Sequence, residues 1–109
     1  MPETRKILAQ GSPSPANLTD IYVVGAATQA IISTLTIANR NANYDVFRVS
    51  AAISGAMDTS SQYIYYDVSI DGNDTFAATL GITLNSGDVI RMYSLNGSSS
   101  INLFGVEIT

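Results

Sequence analysis

The chain has 109 residues, which is the size of one domain and leaves no room for a second hydrophobic core. It contains no histidine and no cysteine, which excludes metal sites built on imidazole or thiolate and nucleophiles activated by histidine. Five Lys and Arg against nine Asp and Glu give a net charge of −4. We therefore expect no nucleic-acid partner, because phosphate neutralisation needs a basic patch.

The first segment, MPETRKILAQ, is a possible strand and is followed by GSPSPAN at residues 11–17. Two prolines, a glycine and two serines are typical of an extended spacer. The sequence thus predicts an N-terminal arm with its spacer over residues 1–19 and a folded domain over residues 20–109. Such an arm is suited to reaching a neighbouring subunit.

From residue 20 onward, apolar and polar residues alternate with a period of two, and Gly, Asn and Asp separate the alternating runs. The turns DGND at 71–74 and NSGD at 85–88 contain residues that tolerate positive φ. Eight strands at this spacing predict a single-domain, all-β antiparallel sandwich resembling a jelly roll. After the N-terminal segment, the predicted strands cover residues 20–24, 29–38, 44–53, 62–70, 75–84, 89–94 and 101–108.

The tyrosines are the most informative polar residues. If the even positions of strand 62–70 face the core, Tyr63 and Tyr65 point outward together. Val46 and Ile32 are then expected on the outer face of adjacent strands. Neighbouring exposed aromatic rings are typical of protein interfaces, so we predict that these four residues form a contact surface. Two alternatives are a loop or second layer that covers the rings, and a sugar-binding platform.

A neutral apolar patch of this kind on a small domain usually has a partner. We therefore expect the chain to form a homo-oligomer, with a trimer as the first expectation and a dimer as the second. No apolar run approaches the roughly 20 residues of a membrane-spanning helix, so no membrane partner is expected.

Carboxylates are the remaining candidates for chemistry. The turn formed by Asp71, Gly72, Asn73 and Asp74 is dense in oxygen ligands, but hairpin turns collect the same residues for conformational reasons. Asp67 and Asp74 show no sign of converging as an acid pair. We assign no catalytic residue, no metal ligand and no cofactor, and we expect a protein that is not an enzyme.

Two stretches carry a resemblance to a known family. They are YYDVSIDGNDTFAATLGITLNSGDVIRMYS at 65–94 and NLFGVEIT at 102–109, and the likeness extends upstream through IYVVGAATQAIISTLTIANR at 21–40. This sequence resembles small virion proteins of tailed bacteriophages over residues 20–109. The phrase NDTFAATLGITLNSGDVI is the most specific element, and the chain departs from the family pattern at residues 69–71.

The resemblance implies a structural protein of the virion, assembled in the cytoplasm of the bacterial host. The first expectation is a capsid cement or decoration protein that contacts the major capsid protein or other virion subunits. The alternative is a tail-associated module that binds a receptor or a carbohydrate. The resemblance implies no catalytic residues.

Overall fold

Residues 2–109 are described by a computed structural model. Strands account for most of the chain, and the only helical segments in this range are two single 3-10 turns, at Ile53–Gly55 and Ser60–Gln62. The strands are β1 (Glu3–Gly11), β2 (Thr19–Val23), β3 (Gln29–Asn39), β4 (Asp45–Ala52), β5 (Tyr63–Ile70), β6 (Thr75–Leu84), β7 (Val89–Ser94) and β8 (Ser99–Ile108).

The eight strands form two antiparallel sheets of four. Sheet A has the order β1-β8-β3-β6 and sheet B has the order β2-β7-β4-β5. The chain therefore pairs β4 with β5, β3 with β6, β2 with β7 and β1 with β8, like one long hairpin wound into two layers. This is the strand order of a jelly roll, and it confirms the predicted all-β sandwich of one domain.

The N-terminal segment is part of sheet A. β1 pairs with β8 along its whole length, and Lys6 Nζ lies 2.7 Å from Glu107 Oε1 on that neighbouring strand. Leu8 is buried in the core between the sheets. Residues 3–11 thus form an integral edge strand of the domain. The sequence instead suggests an arm that could extend from the domain. Met1 lies outside the described residues. The spacer is also tied down, because the amide of Ala16 donates to the carbonyl of Ser94 at 2.9 Å.

The core fills the space between the inner faces of the two sheets. Burial of each large apolar side chain stabilises the fold by about 1.5–3 kcal/mol relative to exposure. The large apolar side chains with no exposed surface are Ile32, Leu35, Ile37, Phe47, Val49, Ile90, Met92, Ile101 and Leu103.

A β-bulge crosses sheet A and changes which residues of β3 face the core. Ile32 pairs with Gly105 and Thr34 pairs with Phe104, so Ser33 is an extra residue without a partner on β8. The inward positions are even before the bulge and odd after it, and Ile32 is fully buried. The predicted outward position of Ile32 was wrong, because a strict period of two was carried through the bulge.

Gly105 makes this bulge possible. A Cβ atom at this position would lie 2.0 Å from the carbonyl oxygen of Ile31 on the neighbouring strand. Only glycine permits that approach of two backbones.

A second structural element is the buried carboxylate of Asp45 at the start of β4. Its Oδ2 accepts hydrogen bonds from the hydroxyls of Ser94 and Ser99, the latter at 2.6 Å, and its Oδ1 accepts from the amide of Asn96 at 2.9 Å. Burial alone would raise the pKa of Asp45, but the hydrogen bonds outweigh burial and hold the pKa below its usual value. Asp45 thereby ties β4 to the turn between β7 and β8.

Candidate functional site

The outer face of sheet B contains a cluster built around Arg48. The Nε of Arg48 lies 2.6 Å from Oδ1 of Asp67, and its guanidinium carbon lies 4.3 Å from the ring centre of Tyr66 and 4.5 Å from that of Tyr93. The ring of Tyr63 meets that of Tyr66 edge to face, with centres 5.0 Å apart. These distances are in the range of cation–π and aromatic pairing, so the cluster is a preorganised surface of one cation and three phenols.

A bulge in β5 builds this cluster. Phe47 pairs with Val68 and Val49 pairs with Tyr65, so that Tyr66 and Asp67 together stand opposite Arg48. Asp67 takes a left-handed conformation with φ of 52°. Asp adopts this region more readily than most residues, and the conformation brings the carboxylate to the guanidinium.

The bulge also reverses the predicted faces of Tyr65 and Tyr66. Tyr65 packs inward, edge to face with Phe76 at 5.1 Å and with Phe47 at 6.3 Å. Tyr66, which the alternation placed inward, is 56% exposed. The prediction that Tyr65 points outward beside Tyr63 was wrong, since the alternation was counted without the extra residue.

The four residues predicted to form an interface therefore do not share one surface. Ile32 lies in the core on sheet A, and Tyr65 packs against the edge of the core. Tyr63 and Val46 are half-buried, and Val46 lies two residues from Arg48 on the same side of β4. Tyr63 donates its hydroxyl to Asp58 at 3.1 Å, and burial together with this bond raises the pKa of Tyr63.

Next to the cluster, the loop after β4 presents two large apolar side chains to solvent. Ile53 is 79% exposed and Met57 is 87% exposed. Asp58, the partner of Tyr63, follows Met57 directly in this loop. We call the combined area of Arg48, Tyr63, Tyr66, Tyr93 and Met57 the tyrosine–loop surface. Ile53 lies at the other end of the loop, in a small cleft that Ile82 and Leu84 also line.

The loop is held in place by side chains of β7 and its preceding turn. Arg91 donates to the carbonyl of Ala56 at 2.8 Å and to that of Gly55 at 3.2 Å. Asp88 accepts the amide of Ser54 at 2.9 Å. Ile53 and Met57 thus lie on an anchored loop. Because the loop is already ordered, binding a partner costs less conformational entropy.

Sequence reasoning missed Arg48, Tyr66, Tyr93, Ile53 and Met57. One signal for the bulge was present: Asp67 stands in the middle of an apolar alternation, and Asp is depleted in regular strands. The role of Arg91 as the anchor of the loop had no sequence signal, because it depends on a contact 35 residues away.

The turn at residues 71–74 makes structural contacts. This turn is docked against the loop between β3 and β4, where the amide of Asn73 donates to the carbonyl of Asn41 at 2.8 Å. Asp74 accepts the amide of Thr75 at 2.8 Å. In residues 2–109, no group of three or more Asp or Glu side chains is placed to hold a metal ion.

A shallow cleft of about 360 Å³ lies beside the end of β8, and no ionisable side chain lines it. Across it, Ser86 Oγ donates to the carbonyl of Thr28 at 2.9 Å. The amide of Thr28 donates back to Ser86 Oγ at 3.2 Å. These two hydrogen bonds join two turns, so the cleft is the space between two loops.

Comparisons with protein-family models, with curated proteins and with solved structures give no match. Over residues 2–109, no helix has the length and apolar character needed to span a bilayer. The chain's own sequence and geometry therefore carry the functional proposal.

Proposed function

We propose that this protein is a non-enzymatic structural subunit of a tailed-phage virion, a capsid cement or decoration protein that binds neighbouring shell subunits through its tyrosine–loop surface. The observation that carries the binding role is the anchored loop that exposes Met57 beside the Arg48 cluster. The virion setting is supported by the sequence resemblance of residues 20–109.

The composition of the surface supports protein contact. Tyr, Met and Arg are enriched in protein interfaces. Tyr and Met offer a large contact area without charge, and the charge of Arg can be compensated by a neighbouring carboxylate. Arg48 is paired with Asp67 and Arg91 with Asp20, so neither guanidinium has to enter an interface as an isolated charge.

The alternative is a tail-associated module that binds carbohydrate. Sugar binding would use an open tyrosine face next to free carboxylates. In the cluster, the Arg48 guanidinium already stacks on Tyr66 and holds Asp67, which favours the protein-contact role.

The test is reconstitution on phage shells that lack this subunit, with bound protein measured by co-sedimentation. Met57→Asp should reduce binding at least tenfold, because the partner would have to desolvate a charge. The matched control is Ile7→Asp, which changes an exposed apolar residue on β1 of the other sheet and should bind like wild type. Equal binding of Met57→Asp and wild type would refute the proposed surface, and specific hits on a glycan array would favour the carbohydrate-binding alternative.

A further inference from the structure

Each sheet of the sandwich ends in two edge strands, and three of these four edges carry features that discourage pairing with another chain. β1 has Glu3, Arg5 and Lys6. β2 is five residues long and contains Asp20. β5 is interrupted by the bulge at Asp67. Charges, short length and bulges are the devices by which natural sheets protect an open edge.

The fourth edge, β6, lacks charge and proline over ten residues, TFAATLGITL, and its register shift lies between Thr79 and Ile82, outside residues 75–79. Its residues 75–79 form an uninterrupted ladder with Thr34 to Ala38 of β3 on one side. On the other side, within residues 2–109, no backbone hydrogen bond to another segment involves residues 76–84. A row of peptide groups along the free edge is therefore open to pairing.

The inner side chains of β6 are also incompletely covered. Phe76, Ala78, Leu80 and Ile82 pack against the core, yet each remains half-buried. A strand added beside β6 would bury more of this row and satisfy the open peptide groups at the same time. The open peptide groups and the half-buried side chains therefore both favour an added strand as the partner of this edge.

We infer that β6 pairs antiparallel with β6 of a second copy, around a two-fold axis at Ala77. The sequence of residues 75–79, TFAAT, is complementary to itself in this register. Thr75 stands opposite Thr79 of the other copy on the outer face, and Phe76 stands opposite the small Ala78 on the inner face. Thr–Thr pairs and pairs of large with small side chains suit adjacent strands, and no like charges meet.

Such a pair would join the two A sheets into one continuous sheet of eight strands. Because one edge pairs with itself, the interface is isologous and closes as a dimer. The inference thus favours the dimer over the trimer that was the first expectation from sequence. It uses a different strand from the tyrosine–loop surface, so shell binding and self-association can fail separately.

Charge substitutions at Ala77 provide the decisive experiment, because Ala77 is exposed and would face its own copy across the axis. Wild type should run as a dimer in multi-angle light scattering across the micromolar range. Ala77→Lys and Ala77→Glu should each run as folded monomers by circular dichroism, since like charges would oppose each other. Mixing the two variants should restore a dimer that contains one copy of each. Thr4→Lys, an exposed position on the opposite edge strand of the same sheet, should remain a dimer.

Hydrogen exchange on the unmodified protein gives a measurement that does not depend on the variants. Amides in residues 75–79 should exchange more slowly as the protein concentration rises, while those of β1 should not change. A wild type that is monomeric throughout, or a dimer that both Ala77 variants leave intact, would overturn the inference. Protection of β6 that appears only when a different protein is added would overturn it too, in favour of a strand from that protein.

Discussion

Arg48 and Asp67 form an ion pair across a β-bulge, with Arg48 Nε 2.6 Å from Asp67 Oδ1 and the Asp67 backbone in a left-handed conformation. The two features are coupled, because the bulge turns the carboxylate toward Arg48 and the ion pair orients the guanidinium over Tyr66 and Tyr93. Asp67 is nearly half exposed, so the ion pair itself adds little stability. Its main effect is on the shape of the tyrosine–loop surface.

The backbone conformation of Asp67 yields the first prediction. Asp67→Val should lower the free energy of unfolding by about 1–3 kcal/mol, because a β-branched residue is strained at positive φ. Asp67→Gly removes the same carboxylate but has no such strain, so it should lose less than about 1 kcal/mol. Urea unfolding of both variants measures the difference, and equal losses would show that the ion pair, not the conformation, is the dominant contribution.

The second prediction concerns Asp45 and acid stability. Its pKa in the folded protein lies below the ordinary value of 3.8, so folding favours the carboxylate form. The stability from this group is present above that ordinary value and is lost as the pH falls through the lower folded pKa. Asp45→Asn should lower the unfolding free energy at neutral pH by about 1–3 kcal/mol, because the amide cannot accept all the hydrogen bonds from Ser94, Ser99 and Asn96.

Urea unfolding over a pH series tests the Asp45 prediction. The difference between wild type and Asp45→Asn should shrink as the pH falls below the ordinary value of 3.8, where Asp45 of the unfolded chain begins to be protonated. Asp71→Asn, on an exposed turn, serves as a control and should change stability by less than about 0.5 kcal/mol at neutral pH. A difference that is constant over the whole series would contradict the role given to the Asp45 charge.

The third prediction compares two glycines in sheet A. Gly105→Ala should destabilise the protein by about 3 kcal/mol or more, because its Cβ would meet the Ile31 carbonyl oxygen at 2.0 Å. Gly81→Ala places the same methyl group where no atom lies within 4 Å, so it should be neutral or should stabilise by about 0.4–1 kcal/mol. Thermal unfolding of the two variants is sufficient. Comparable melting temperatures would mean that the bulge beside Gly105 relaxes without loss.

Local sequence patterns determined the strands and the class of fold. Alternation marked the core runs, and turns such as Asp71 to Asp74 separated them, because side-chain period and positive-φ residues act over a few neighbours. The same reasoning suggested that β1 could be a strand but did not show that it closes sheet A against β8. That pairing joins residues about a hundred positions apart, and no local pattern records it.

Only the tertiary structure decided which way the side chains face after each bulge. One extra residue reverses the two faces of a strand, and the partner strand decides whether it is accommodated. In sheet A, Gly105 stands opposite Ile32. In sheet B, Arg48 stands opposite both Tyr66 and Asp67. This is why Ile32 and Tyr65 turned inward and Tyr66 outward against expectation. The alternation of side chains is a property of one strand. Which of its residues face the core is set by its hydrogen bonds to the neighbouring strand.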